Sequence, residues 1–288
     1  MKGLLARGLD REAGQGWARV VPKARSTCVA ALLLTLTDCS TPRPGITLGN
    51  QAPPVGTEDH LPPYVRTPPE PFSRTNAIAI AEREWRAFGS VINDSPPGPV
   101  PRDFRPDQQP GLWQRVADYW WSSQDLGAPA GRWDSKYTPE GAEYDRTGPA
   151  WSAAFISYVM RIAGAGPGFP YTALHADYIN AAARNEGVLQ ARRPETDAPQ
   201  AGDLICVGRA EARNLRFDDL PTSRFFAHCD IVTRAEPGQL TVIGGNVFGG
   251  VTMKHVPTTP QGTLAGPAGA ILDQRFPWFV VLRVGYAA

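Results

Sequence analysis

The sequence is poor in whatever would bind a metal or cross a membrane. Its four Cys and four His are scattered. There is no Cys-x-x-Cys pair, no His-Glu-x-x-His and no acidic calcium loop, so chemistry with neither metal nor other cofactor is expected. An excess of charge of either sign is lacking too. A formal net charge of +1 gives no electrostatic case for nucleic acid or for an anionic membrane. The apolar run Cys28-Val29-Ala30-Ala31-Leu32-Leu33-Leu34 is too short to span a bilayer. Behind Lys23 and Arg25 it reads as the core of an export signal, with a buried helix or an unstructured leader as the plainer alternative.

Proline is plentiful, 29 residues concentrated before position 111, and it divides the chain. Residues 1–39 are read as an export signal of lipoprotein type. It ends at Leu36-Thr37-Asp38-Cys39, which resembles a bacterial lipobox with Asp38 in place of the usual small residue, so Cys39 is the expected lipidation site and the expected membrane link. The stretch before Lys23 is long for a signal, and a start at Val20 or Val21 would shorten it; mass spectrometry of the mature N-terminus checks this. Residues 40–72 read as a Pro-rich tether, 73–110 as a helix with a loop, and 111–288 as an α+β domain. With Cys39 lipidated, Cys206 and Cys229 read as two separate buried thiols, a disulfide in an oxidising envelope being the alternative.

Periodicity fills in the elements. Ser73 caps an expected helix through Ile78, Trp85 and Phe88, and Leu112–Trp121 forms a second whose aromatics pack the core or offer a sugar platform. Phe155, Ile156, Val159 and Ile162 define a helical stripe, with Ser152 at its start carrying an inward hydroxyl. Thr172 starts a fourth helix through Leu174, Tyr178 and Ile179. After Pro199 come β-branched runs at 203–207, 228–232, 240–243, 251–256 and 278–284, read as an antiparallel sheet.

Trp151-Ser152-Ala153-Ala154-Phe155-Ile156-Ser157-Tyr158 resembles the motif Trp-Cys-Ala-Ala-Phe-Val-Ser-Trp of CHAP and NlpC-type papain-like peptidoglycan amidases and peptidases, with Ser152 where their catalytic Cys stands. With Ser in the motif and the downstream His-x-x-Tyr of His175 and Tyr178, the chain more closely resembles the bacterial domain of unknown function 2272 family. The resemblance implies a papain-like fold in which Ser152 is nucleophile. The base comes from a His-x-Gly-Ile-Val strand, matched by His228-Cys229-Asp230-Ile231-Val232 with Asp230 for Gly. The polar third residue of that fold corresponds to Asn246. Asn246 between glycines equally suits a hairpin turn, and His228 an interior hydrogen-bonded role. Asp230 is the reserve orienter. His175 joins as an auxiliary of unassigned role, a structural His being the plainer reading, while Trp151, Trp133 and Tyr144 are candidates to line the substrate cleft.

Serine is too weak an acid to be pre-ionised as a papain-like Cys is, so a base must remove its proton during attack. Two functions follow: a periplasmic or envelope hydrolase acting on peptidoglycan peptide or amide bonds, or a noncatalytic envelope module that holds such a ligand. If His228 lies beyond hydrogen-bond reach of Ser152, the second reading gains.

Overall fold

The computed structural model describes residues 70–96, 105–123 and 150–287. The expected signal, residues 40–69 of the expected tether, Cys39, Trp133 and Tyr144 lie outside them, and Phe72, at the tether's expected end, is a buried core residue. Four helices come first: α1 (Arg74–Ala87), α2 (Leu112–Ser122), α3 (Ser152–Ile162) and α4 (His175–Ala183). Six strands follow: β1 (Leu189–Arg192), β2 (Leu204–Gly208), β3 (Ala227–Glu236), β4 (Gln239–Val247), β5 (Gly250–Pro257) and β6 (Trp278–Val284). They form one antiparallel sheet in the order β1-β6-β2-β3-β4-β5. The class is α+β, helices before strands, as the sequence leads one to expect. No described helix is long and apolar enough to cross a membrane.

The helix starts follow local chemistry. Ser73 caps α1 by accepting the amide of Asn76 at 3.3 Å, satisfying one otherwise orphaned donor. Thr172, by contrast, does not start α4. Its hydroxyl accepts from the Leu174 amide and donates to Asp177, a local alternative to helix, so α4 begins three residues later at His175. β1 is absent from the sequence-based expectation because only Leu189 of its four residues is buried, which leaves no apolar alternation to read.

Strand alternation splits the core in two. On β2, Leu204 and Cys206 join the cluster under the helices, whereas Ile205 and Val207 join a second cluster with Leu264 and Trp278 on the other face. α3 lies deepest: every residue from Ser152 to Met160 is buried, so it is a central helix and not one with a single apolar stripe. The aromatics of α2 pack here too, with the Tyr119 ring against Phe155 and Tyr158. α1 and α2 are joined through buried Glu84, whose carboxylate takes two bonds from Arg115 and one from the Tyr119 hydroxyl at 2.5 Å. A buried carboxylate is tolerable when charge-assisted partners replace its water.

Two expectations are corrected here. Cys206 and Cys229 are not separate thiols: the β2–β3 register sets them directly opposite, and they form a disulfide. Nor is the Gly244–Gly250 segment all turn. β4 continues to Val247, and the reversal is the two-residue Phe248-Gly249, both at positive φ, between paired Val247 and Gly250. Gly244 and Gly245 are strand glycines for packing reasons. A Cβ on Gly245 would lie 2.6 Å from Cβ of Phe155, and one on Gly244 would lie 1.8 Å from an Asp230 carboxylate oxygen.

Candidate active site

Ser152 is the first residue of α3, and His175 is the first of α4. The two helix starts bring their side chains together: Ser152 Oγ is 2.7 Å from His175 Nε2. On the far side of the ring, His175 Nδ1 meets the hydroxyl of fully buried Tyr178, one helical turn along α4. A serine proton given to Nε2 requires the tautomer with hydrogen on Nδ1, and that hydrogen then points at Tyr178 as acceptor. Ser152, Ala153 and Ala154 carry the first amides of α3, which have no acceptor within the helix and sit at its positive end.

His228, expected to be the base, makes no hydrogen bond to Ser152 among the described residues. The reason lies in the pleat. Cys229 and Ile231 face the helices, so His228 and Asp230 project to the opposite face of β3, the face of Val232. The His228 and His175 rings meet in a T-shaped contact with centroids 5.5 Å apart. Its Nε2 is 2.8 Å from Asp230 Oδ1, and the second oxygen of Asp230 is bound by the ammonium of Lys254 from β5. Ser152, His175, His228, Asp230 and Lys254 thus form a polar path, hydrogen-bonded except at the His175–His228 ring contact, each with at most 6 % of its surface exposed.

Burial sets the electrostatics. It pushes the His175 imidazole well below the usual range, helped by His228 and Arg209 and opposed by Asp230. Burial, followed by Arg209, also brings His228 down to about 4. Both rings are neutral at pH 7, and the His228–Asp230 contact is therefore a hydrogen bond and not an ion pair. For Asp230 burial acts upward, but Lys254 and His228 outweigh it and hold the carboxyl well below its ordinary value.

The remaining candidates separate from this centre. Asn246 adopts φ +56° beside the β4–β5 hairpin, and its side chain makes no hydrogen bond among the described residues, so it does not orient either histidine. Trp151 is a core residue and not a cleft wall: its ring stands against Phe88 and Tyr119, and its indole N–H donates to buried Asp107 at 3.3 Å. His255, on β5, pairs with Asp94 at 2.9 Å. Among the described residues no group of three or more His, Cys, Asp or Glu could hold a metal ion. The sequence pairs Tyr178 with His175 in the His-x-x-Tyr match without giving it a role, and does not single out Lys254. The i, i+3 spacing of His175 and Tyr178 was the available signal for the first. For the second, a lone Lys inside the apolar run 251–256 demanded a buried counter-charge.

Residues 107–284, more than half of the chain, match a family described as "Uncharacterized protein conserved in bacteria (DUF2272)". The match runs from just before α2 to the end of β6 and takes in every residue of the polar path. No curated protein and no solved structure matches the chain.

Proposed function

The chain belongs to the DUF2272 family, and from that premise we propose that it is an exported envelope hydrolase of papain-like, NlpC/CHAP-like architecture. Its substrates are peptide or amide bonds of peptidoglycan, with Ser152 as nucleophile and His175 as general base. The observation that carries this reading is the 2.7 Å contact between Ser152 Oγ and His175 Nε2, with the other ring nitrogen held by Tyr178. That is the geometry a weakly acidic hydroxyl needs: a neutral base within reach and a third group fixing its tautomer.

In this mechanism the Ser152 oxygen attacks the substrate carbonyl carbon while His175 Nε2 takes its proton. The negative charge arising on the carbonyl oxygen is met by the unpaired amides at the start of α3. Collapse breaks the C–N bond, and the departing amine takes the proton from His175. Water, deprotonated by the same nitrogen, then hydrolyses the acyl-serine and restores both groups. Depression of the His175 pKa keeps the base neutral at pH 7.

The Cys206–Cys229 bond supports an oxidising compartment, in keeping with export and with lipid anchoring at Cys39. A second reading, a noncatalytic wall-binding module, draws support from the position of His228, off the serine on the other face of its strand. Ser152→Ala and His175→Ala, assayed on purified sacculi beside the parent with binding measured in parallel, separate the two. The hydrolase reading expects soluble-fragment release to fall by at least about 10³-fold with sacculus binding intact. Equal release by parent and variants leaves the binding module.

A further inference from the structure

One cavity lies outside the Ser152–His175 contact yet touches the far end of its polar path. It has a volume of about 360 Å³ and is bordered by Arg209, Arg213, Lys254 and Arg275, with Asn246 and Phe276 completing the wall and no Asp or Glu in its lining. The four cations are not equally matched. Lys254 is answered by Asp230 and Arg275 by Asp273. Arg209 and Arg213 form no salt bridge among the described residues and are both exposed, with Asp230 acting on Arg209 only at longer range, so neither has a direct counter-ion in the cavity.

The backbone around the cavity is also out of the ordinary. Five non-glycine residues among those described have positive φ, and three of them line this one space: Ala210 at 51°, Asn246 at 56° and Phe248 at 54°. Such conformations persist where the surroundings impose them, and they gather at ligand sites. Phe248 belongs to the β4–β5 reversal, while Ala210 directly follows Arg209. A Cβ on Gly208 would lie 1.9 Å from the Ala212 carbonyl oxygen, so the chain turns tightly there, and the Arg209 amide is tied to the Phe226 carbonyl at 2.8 Å. Phe226 itself is 64 % exposed, two residues before His228, and Leu174, immediately before His175, is likewise exposed. Apolar surface therefore flanks the site histidines while unpaired guanidinium groups lie beyond them.

We propose that this cavity is a carboxylate-binding subsite, in which Arg209, with Arg213, receives a carboxylate of the peptide substrate whose amide bond meets Ser152. A planar guanidinium presents paired N–H donors that match a carboxylate. Burial lowers the Arg209 pKa, opposed by Asp230, and the side chain keeps an exposed surface from which a ligand can be met. A bound carboxylate would supply a direct counter-ion and would sit beside Lys254, which is linked through Asp230 and His228 to the ring of His175. The subsite rests on the hydrolase reading only for what carries the carboxylate; its binding does not require turnover.

Isothermal titration of the full chain tests it with three probes: an N-acetyl-dipeptide acid, the same dipeptide as its C-terminal amide, and inorganic phosphate. The acid is expected to bind at least about tenfold more tightly than the amide, the margin of a charge-assisted pair. Arg209→Gln, and independently the solvent-exposed Arg213→Gln, should weaken the acid and leave the amide unchanged. Ser152→Ala should bind like the parent, so a failed hydrolase assay and a failed subsite give different results. Equal affinity for acid and amide, or no binding of either, overturns the proposal, and tighter binding of phosphate than of the acid reassigns the cavity to a phosphate group.

Discussion

At the scale of single residues, the two histidines of the site answer to different neighbours and should behave differently. His175 Nε2 is hydrogen-bonded to Ser152 Oγ, whereas His228 meets the His175 ring in a T-shaped contact and is bound to Asp230. His175→Ala is therefore expected to abolish turnover, and His228→Gln to lower it by a smaller factor, read as kcat on the same sacculus substrate. Tyr178→Phe removes the acceptor for Nδ1–H and should lower kcat about 10- to 100-fold with KM little changed. Because burial pushes the His175 pKa below the usual imidazole range, the neutral base survives to lower pH than a free histidine does. The acid limb of kcat/KM should fall below about pH 6.5. An acid limb at or above that value would contradict a buried base.

Individual elements show what sequence does and does not reveal. α1, α2, α3 and five of the six strands are legible because each carries a full period of apolar residues bounded by Ser, Gly or Pro. β1 lacks that period, and the start of α4 is hidden because the Thr172 hydroxyl bonds within its own turn. The motif places Ser152 at a helix tip correctly. It does not show that His175 stands against Ser152 in place of His228, since whether a strand residue faces the helices or the opposite layer depends on a register that shifts by one position invisibly in sequence. Gly245 marks another packing constraint. Its Cα lies against α3, so Gly245→Ala should cost about 1–3 kcal/mol as overpacking, measured by denaturant midpoint. Gly238→Ala, in the β3–β4 turn with open space around it, meets no neighbour and should lose less, through its backbone conformation alone.

For the molecule as a whole, stability should depend on both acidity and redox state. His228 is buried with a pKa near 4, whereas the unfolded chain takes up the proton near the ordinary value of about 6.5. Its folded pKa is thus depressed, so full stability is present above about pH 6.5 and is lost as pH falls toward 4. The slope within that window is up to about 1.4 kcal/mol per pH unit for each such histidine. Thermal unfolding followed across the window checks this, and a flat profile would contradict burial of neutral imidazoles. Reduction removes a crosslink closing a loop of sequence separation 23, worth about 3 kcal/mol on the chain-entropy account, and should lower the unfolding temperature by several degrees.

That crosslink also has a bearing on how the protein is prepared. Cys229 directly follows His228, and Cys206 stands three residues before Arg209, so one sulfur bridge ties the strand of the imidazole to the strand leading to the guanidinium. Recombinant material folded in a thiol-rich host interior would leave these two strands unstapled. Assays should therefore use oxidised material, since only it carries the crosslinked arrangement of the two strands.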